Sequence, residues 1–309
     1  MNAVNYQLPA PAWVQDESIR EYAIVVAGVS IVPGDTQRIE SWLSGQGIPI
    51  RVVTSAPADE YFELLLEARG AQAFGIFERL YRQLDKLDVF MLPQISRKKA
   101  VLVCDMDSTI IQTESLDELA DYMGIGAQIA AITRRAMNGE IDFAAALEER
   151  VALLTGLPTT DVEDCVSHTR YNDGARELVA AARAGGLRTV LVSGGFSPFV
   201  SYVAKDLGFD RWVANTLDIR DNQLTGRVLP PIIDKDTKLA VLQEECAALG
   251  VGPESACTIG DGANDIDMLA ASGLGIAYRA KAVVLEAVPY HLRHSSLATV
   301  IRVLDLAPV

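Results

Sequence analysis

Histidine and cysteine are scarce in this 309-residue chain, with three of the first and four of the second. His168, His291 and His294 are too few for a histidine metal cluster. Cys104, Cys165, Cys246 and Cys257 stand far apart without C-x-x-C spacing, so they read as reduced, buried small residues, not as staples or a zinc site. Positive charge is short as well. Twenty-seven Lys and Arg face 41 Asp and Glu, and the net charge of -14 repels polyanions, which argues against nucleic acid as a partner. A small anionic substrate stays compatible, because a bound metal and one lysine can reverse the sign locally. No apolar run approaches the ~20 residues of a membrane span, and Met1 to Glu17 has neither a basic start nor an apolar h-region. The expectation is a cytoplasmic protein with no membrane partner. Internal repeats and low-complexity segments are lacking too. A composition 50% hydrophobic and 22% charged can bury a sizeable core, as one large domain or two modest ones.

The stretch that organises the chain is Val101-Leu-Val-Cys-Asp105-Met-Asp107-Ser-Thr109, an apolar run ending in two aspartates one residue apart. A strand apolar on both faces belongs in the middle of a parallel sheet, whose ligand crevice lies at the carboxyl ends of its strands. Asp-x-Asp alone can be a turn and helix cap. Three later stretches add to it. Leu187 to Ser193 is an apolar strand ending in Ser193-Gly194-Gly195; Lys238 stands near the start of a helix; Ala256 to Asp261 is a third strand, followed by Gly262-Ala-Asn264-Asp265.

Before these motifs the order is β-α-β-β-α-β: strands over Glu21–Gly28, Ile48–Ser55, Tyr61–Ala68 and Val89–Ile95, helices over Asp35–Ser44 and Gln72–Leu84. The first twenty residues, with two prolines in Leu8-Pro9-Ala10-Pro11, read as an extended lead-in. This order fits a small α+β ferredoxin-like domain over residues 1–96, resembling amino-acid-sensing ACT domains by element order, and a packing or homodimerisation module is an equal alternative. Arg97-Lys98-Lys99 reads as the charged boundary to a second domain, 97–309. After Thr109 comes a run of helical pattern far longer than a crossover needs, at about 112–172. Ser115-x-x-Glu118 and Thr160-x-x-Glu163 have capping-box spacing, and Gly139 and Gly156 fall where helices should stop. From Asp173 helix and strand alternate, with a hairpin around Arg220-Asp-Asn222 and two helical segments near Val284 and Val300 closing the chain.

The order Asp-x-Asp-Ser-Thr, Ser-Gly-Gly-Phe, Lys, Gly-Asp-Gly-Ala-Asn-Asp resembles the haloacid dehalogenase-like (HAD) phosphatases, and within them the phosphoserine phosphatase group, from about Ala100 to the end. The resemblance implies a doubly wound α/β core with a parallel sheet and a helical cap inserted after its first strand. It implies Asp105 as nucleophile and Asp107 as acid and base. Asp105, Asp261 and the Asp107 backbone carbonyl would hold Mg²⁺, whose preference for hard oxygen ligands makes zinc a poor fit. Ser193, the Gly194 N–H, Lys238 and Asn264 would bind the phosphate. Asp265 would support the metal from behind or cap a helix. Glu114 and Arg150 match the family's positions for the ammonium and carboxylate of phosphoserine, with Phe143 beside Arg150 at a seven-residue spacing. An arginine on the apolar stripe Phe143, Leu147, Val151 needs a partner, and a salt bridge within the cap is the plain alternative. A dehalogenase has no use for Asp107 or magnesium. The remaining alternatives are a phosphatase for another small phosphomonoester and an amino-acid-responsive regulatory protein.

Overall fold

The computed structural model describes residues 7–56, 60–137 and 140–309. The expected helix stop at Gly139 lies outside the described residues. The amino-terminal part is β1 (Arg20–Ala27), α1 (Pro33–Gly45), β2 (Ile50–Ala56), β3 (Tyr61–Ala68), α2 (Gly70–Gln83) and β4 (Asp88–Pro93). Its strands form an antiparallel four-stranded sheet in the order β2-β3-β1-β4. A short 3-10 turn, Ala12–Gln15, interrupts the expected extended lead-in. Trp13 at that turn meets Tyr22 and Phe74, so local aromatic packing sets it.

The charged stretch Arg97-Lys98-Lys99, read as a domain boundary, begins in the interior. Arg97 is 1% exposed and pairs with Glu63 at 2.5 Å, while its Nε donates to the Val303 carbonyl at 3.0 Å and its Nη2 to that of Arg302. An arginine can be buried this way because its fork of donors is matched by a carboxylate and two carbonyls. Asp88, also buried, accepts from the backbone N–H groups of Arg293, His294 and Ser295. These bonds tie the small sheet to the carboxyl-terminal segment.

The second sheet has seven strands: β5 (Val101–Cys104), β6 (Arg188–Phe196), β7 (Arg211–Arg220), β8 (Gln223–Leu229), β9 (Ala256–Gly260), β10 (Leu274–Tyr278) and β11 (Tyr290–Leu292), in the order β11-β10-β9-β5-β6-β7-β8. All neighbours are parallel except the hairpin β7 and β8, whose turn residues Asp221 and Asn222 both have positive φ, as a tight hairpin of this hand requires. Every residue of β5 is buried, as its unbroken apolar run requires. The chain leaves β5 to one side through β6 and β7, then returns to add β9, β10 and β11 on the other. The order therefore reverses at β5, and a crevice opens there. The short edge strand β11 escapes sequence reading; three residues carry no usable period.

Between β5 and β6 lie α3 (Ser115–Tyr122), α4 (Gly126–Met137), α5 (Phe143–Ala152) and α6 (Thr159–Ser167), followed by α7 (Ala175–Ala184). Both expected capping boxes are corrected. Helix α3 is capped by Glu114 and α6 by Pro158, neither with a side-chain bond, and Ser115 spends its side chain elsewhere. Helix α8 (Ser197–Leu207) ends at Gly208 in the left-handed conformation. Then α9 (Lys235–Ala248), α10 (Ile266–Ala271), α11 (Ala282–Ala287) and α12 (Thr299–Val303) complete the chain. Among the described residues no helix is long and apolar enough to cross a membrane.

Candidate active site

A cavity of about 690 Å³ opens beyond the carboxyl ends of β5, β6 and β9, and α3, α4 and α5 close its other side. Asp105, Asp107, Glu114, Phe143, Arg150, Ser193, Gly194, Asp261 and Asn264 all line it. Lys238 does not; it lies behind Asp105.

The floor begins with the turn after β5. Ser108 holds a φ of 55°, uncommon for a residue with a Cβ, and the N–H groups of Thr109, Ile110 and Ile111 converge on the Met106 carbonyl. That knot fixes both aspartates. Helix α9 starts at a side-chain cap, Asp234 accepting from the Thr237 N–H at 2.9 Å, which sets where Lys238 falls one turn in. Its buried ammonium sits 2.6 Å from Asp105 Oδ1 and 2.7 Å from Asp265 Oδ1. Asp265 Oδ2 accepts from the N–H groups of Asp261 and Gly262, at 3.2 and 3.0 Å. Gly260 permits this. A Cβ there would come within 2.5 Å of the Asp265 carboxyl carbon.

Burial works against the Lys238 ammonium, but Asp105 and Asp265 outweigh it and hold its pKa above that of ordinary lysine. Burial, and then repulsion from Asp265, push the Asp105 carboxyl well above the usual range against the pull of Lys238. Burial also raises Asp261 to about 6, with Lys281 opposing. Burial is the leading cause at both aspartates, and the crowding of charge adds to it. Asp105, Asp261 and Asp265 bring three carboxylates around one buried ammonium, two negative charges more than it can balance. Their ligand atoms lie within 4.8 Å of one another, a cluster of hard oxygen donors that suits a divalent cation. Asp265 has both oxygens engaged, which leaves Asp105 and Asp261 as the carboxylates with lone pairs to spare.

Removing Lys238 should expose this imbalance. Lys238→Met leaves two buried carboxylates without their counter-ion, and stability should fall by about 3–5 kcal/mol. Urea denaturation with a chelator present measures it; a loss below ~1 kcal/mol would mean that water reaches the cluster freely.

Asp107 is held from outside the motif. The Ser115 N–H donates to its Oδ1 and the Ser115 hydroxyl to its Oδ2, both at 3.1 Å. Burial first, then the Glu114 charge, raise its pKa to about 7. Gly195 makes room; a Cβ there would lie 2.8 Å from Asp107 Oδ2. Ser193 Oγ accepts from the Gly195 N–H at 2.9 Å and keeps its own proton to donate. Buried Asn215 donates to the Gly194 carbonyl at 2.7 Å and accepts from the Ile233 N–H at 2.8 Å, joining the end of β6 to the loop that leads into α9. Asn215 has no place in the sequence motifs, and Ser115 and Gly195 appear there only as a helix cap and a turn residue, because each supports another residue and one sequence carries no sign of such support.

On the helical side, Asp142 caps α5 by accepting from the Ala145 N–H at 2.8 Å. Phe143 is 43% exposed and faces the cavity, not the core stripe of Leu147 and Val151 with which its spacing groups it. Half-buried Arg150 donates from Nε to the Ala146 carbonyl of its own helix at 3.1 Å. Among the described residues its guanidinium forms no ion pair, so the salt bridge within the helical segment is not present. Burial lowers its pKa, against the pull of Asp117 and Glu114. Exposed Glu114 accepts from the Ser108 hydroxyl at 2.8 Å.

Residues 102–270 match the family model of haloacid dehalogenase-like hydrolases. The chain is 39% identical over 248 residues to a phosphoserine phosphatase of Archaeoglobus fulgidus, covering 79% of this chain and 72% of that one. It is 43% identical over 211 residues to a phosphoserine phosphatase of Streptococcus thermophilus, covering 68% and 98%. Among solved structures, a probable phosphoserine phosphatase from Vibrio cholerae superposes with a TM-score of 0.75 at 30% identity, covering 92% of this chain and 86% of that one. The chain belongs to the haloacid dehalogenase-like hydrolases and, within them, to the phosphoserine phosphatase family.

Proposed function

We propose that this chain hydrolyses O-phospho-L-serine to L-serine and inorganic phosphate by two successive displacements at phosphorus. A phosphate monoester resists attack because the phosphoryl group is already anionic, so the site must neutralise charge, align a nucleophile and protonate the leaving oxygen. Asp105 attacks phosphorus, forming an aspartyl-phosphate as the bond to the serine oxygen breaks. Asp107 gives that oxygen its proton, then takes one from the water that cleaves the intermediate. Lys238, buried behind Asp105, orients the attacking carboxylate and favours its ionised form, while the Ser193 hydroxyl, the Gly194 N–H and the Asn264 amide hold the phosphate oxygens. Mg²⁺ would be held by Asp105, Asp261 and the Asp107 backbone carbonyl, and when bound it supplies the positive charge that the carboxylate cluster lacks. Asp265 is a positioning residue that orients Lys238 and the backbone at Asp261.

Residues 97–309 form the phosphatase domain in this reading, with 112–172 as a cap over the crevice. The β2-β3-β1-β4 order supports a ferredoxin-like domain before it, and the Vibrio cholerae superposition, at 92% of the chain, extends into that part.

The observation that carries the substrate is Arg150, half-buried in the same cavity as Asp105 and without a carboxylate partner among the described residues. A partly buried guanidinium without an anionic partner is costly, and the carboxylate of phosphoserine satisfies it with two parallel charge-assisted bonds. Glu114, on the same cavity wall, suits the ammonium. Truncating one partner of a buried pair typically costs on the order of 2–5 kcal/mol, so Arg150→Ala should lower kcat/KM for phosphoserine roughly 30-fold to several thousand-fold. Glu114→Gln should act in the same direction more weakly, since the amide keeps an acceptor. A phosphate ester without the amino-acid head should lose little in either variant. Equal losses on both substrates, with circular dichroism unchanged, would make Arg150 structural or catalytic and remove the support for phosphoserine.

A further inference from the structure

Lys281 belongs to none of the sequence motifs and to none of the roles above, yet it lines the cavity. Its backbone is fixed on several sides. Arg279, two residues earlier, adopts a left-handed φ of 43°, a conformation that persists in a residue with a Cβ where its surroundings impose it. The Arg279 N–H donates to the Leu292 carbonyl at 2.9 Å, and the Lys281 N–H donates to the Asp261 carbonyl at 3.1 Å. The Lys281 carbonyl accepts from the N–H of Val284 at 2.9 Å, starting α11. The side chain, by contrast, is 67% exposed, with Nζ 3.8 Å from Asp261 Oδ2. An ion pair that long and that wet contributes little to stability. The constrained loop thus delivers a solvated ammonium to the mouth of the site.

The charge around it gives that ammonium a task. Asp105, Asp107, Glu114 and Asp261 line the cavity against Arg150 and Lys281, on a chain of net charge -14. Even with a cation balancing Asp105 and Asp261, the remaining acidic rim and the chain's net charge oppose an incoming phosphomonoester dianion, while Lys238 is buried behind Asp105 and Arg150 is committed to the other end of the substrate. We propose that Lys281 recruits the phosphate group, drawing the dianion into the mouth of the cavity before the buried donors take it over. This rests on reading the site as a phosphomonoesterase. A solvated charge at a rim acts on the association rate and its salt dependence more than on the bound complex.

Steady-state kinetics on phosphoserine with Mg²⁺ at low and high ionic strength, for wild type, Lys281→Gln and Lys281→Arg, test it. At low salt Lys281→Gln should lower kcat/KM roughly 3- to 10-fold, the loss residing in KM, and Lys281→Arg should restore most of it. High salt should close the gap, because screening shortens the reach of an exposed charge to ~3 Å at 1 M. Calorimetry with inorganic phosphate as the probe should show weaker binding in Lys281→Gln by a similar factor. Unchanged kcat/KM at low salt, or a loss in kcat that salt does not alter, would overturn the proposal; the second would mean that Lys281 acts through Asp261. A wild-type chain that turns over no phosphomonoester would overturn the phosphatase reading and this inference with it, which separates the two failures.

Discussion

Asp105→Asn is expected to abolish turnover, by at least roughly 10⁴-fold in kcat, while leaving the fold intact. The carboxylate is the proposed attacking group, and the amide that replaces it is neither a useful nucleophile nor a good ligand for a hard cation. The fold should survive because asparagine keeps an oxygen to accept from Lys238 at the position of Oδ1, and Lys238 retains Asp265 at 2.7 Å. Ser193, which lines the cavity, is poorly placed to compete: its Oγ accepts from the Gly195 N–H and has no contact with a base that could remove its proton. Acid quenching during turnover of labelled phosphoserine, followed by peptide mapping, should place the label on Asp105. Label on Ser108, Ser193 or a histidine would end this mechanism, and Asp105→Asn with residual turnover above a few per cent would do the same.

The parts of the fold that were legible in the sequence are those where one local rule acts alone. The bounds of β3 agree with the sequence reading residue for residue, because its apolar run and the surrounding turns mark the same ends. The parallel core followed from apolar runs that end in polar residues. Misreadings fall where tertiary structure reassigns a residue. Ser115 has the spacing of a helix cap, yet the Asp107 carboxylate lies within reach of its hydroxyl and N–H, and a buried carboxylate near neutral pKa is the stronger demand on both donors. Arg97 reads as part of a charged boundary, with no sign of burial, yet Glu63, from a strand 34 positions earlier, and carbonyls more than 200 positions later meet it in the interior. Phe143, expected both on the helix's apolar stripe and beside Arg150, lies on the cavity, in keeping with the second expectation. Lys281 carried no signal at all, since its relevance comes from the loop geometry set by Arg279 and from a neighbour twenty residues away in sequence.

Asp107→Asn should lower kcat for phosphoserine by about 10²–10⁴-fold, the range a positioned general acid supplies. Serine's alkoxide is a poor leaving group and must receive a proton as the bond to phosphorus breaks. Asp107 is suited to hold that proton. Burial and the Glu114 charge bring its pKa to about 7, so a substantial fraction is protonated at neutral pH, where an ordinary aspartate would be almost wholly ionised. The substitution is conservative in shape. Asn Oδ1 can still accept from the Ser115 N–H, and the Ser115 hydroxyl can rotate to accept from the new amide, so the two 3.1 Å contacts have replacements. Mg²⁺ affinity should change little, because the metal contact proposed for this residue is its backbone carbonyl; titration calorimetry measures it. The leaving group provides the decisive comparison. A nitrophenyl phosphate departs as a stabilised phenolate that needs no proton, so the variant should lose far less on that substrate than on phosphoserine. Equal losses on the two substrates would show that Asp107 is not the acid, and its two bonds from Ser115 would then serve to orient the turn after β5 rather than to hold a proton donor in place.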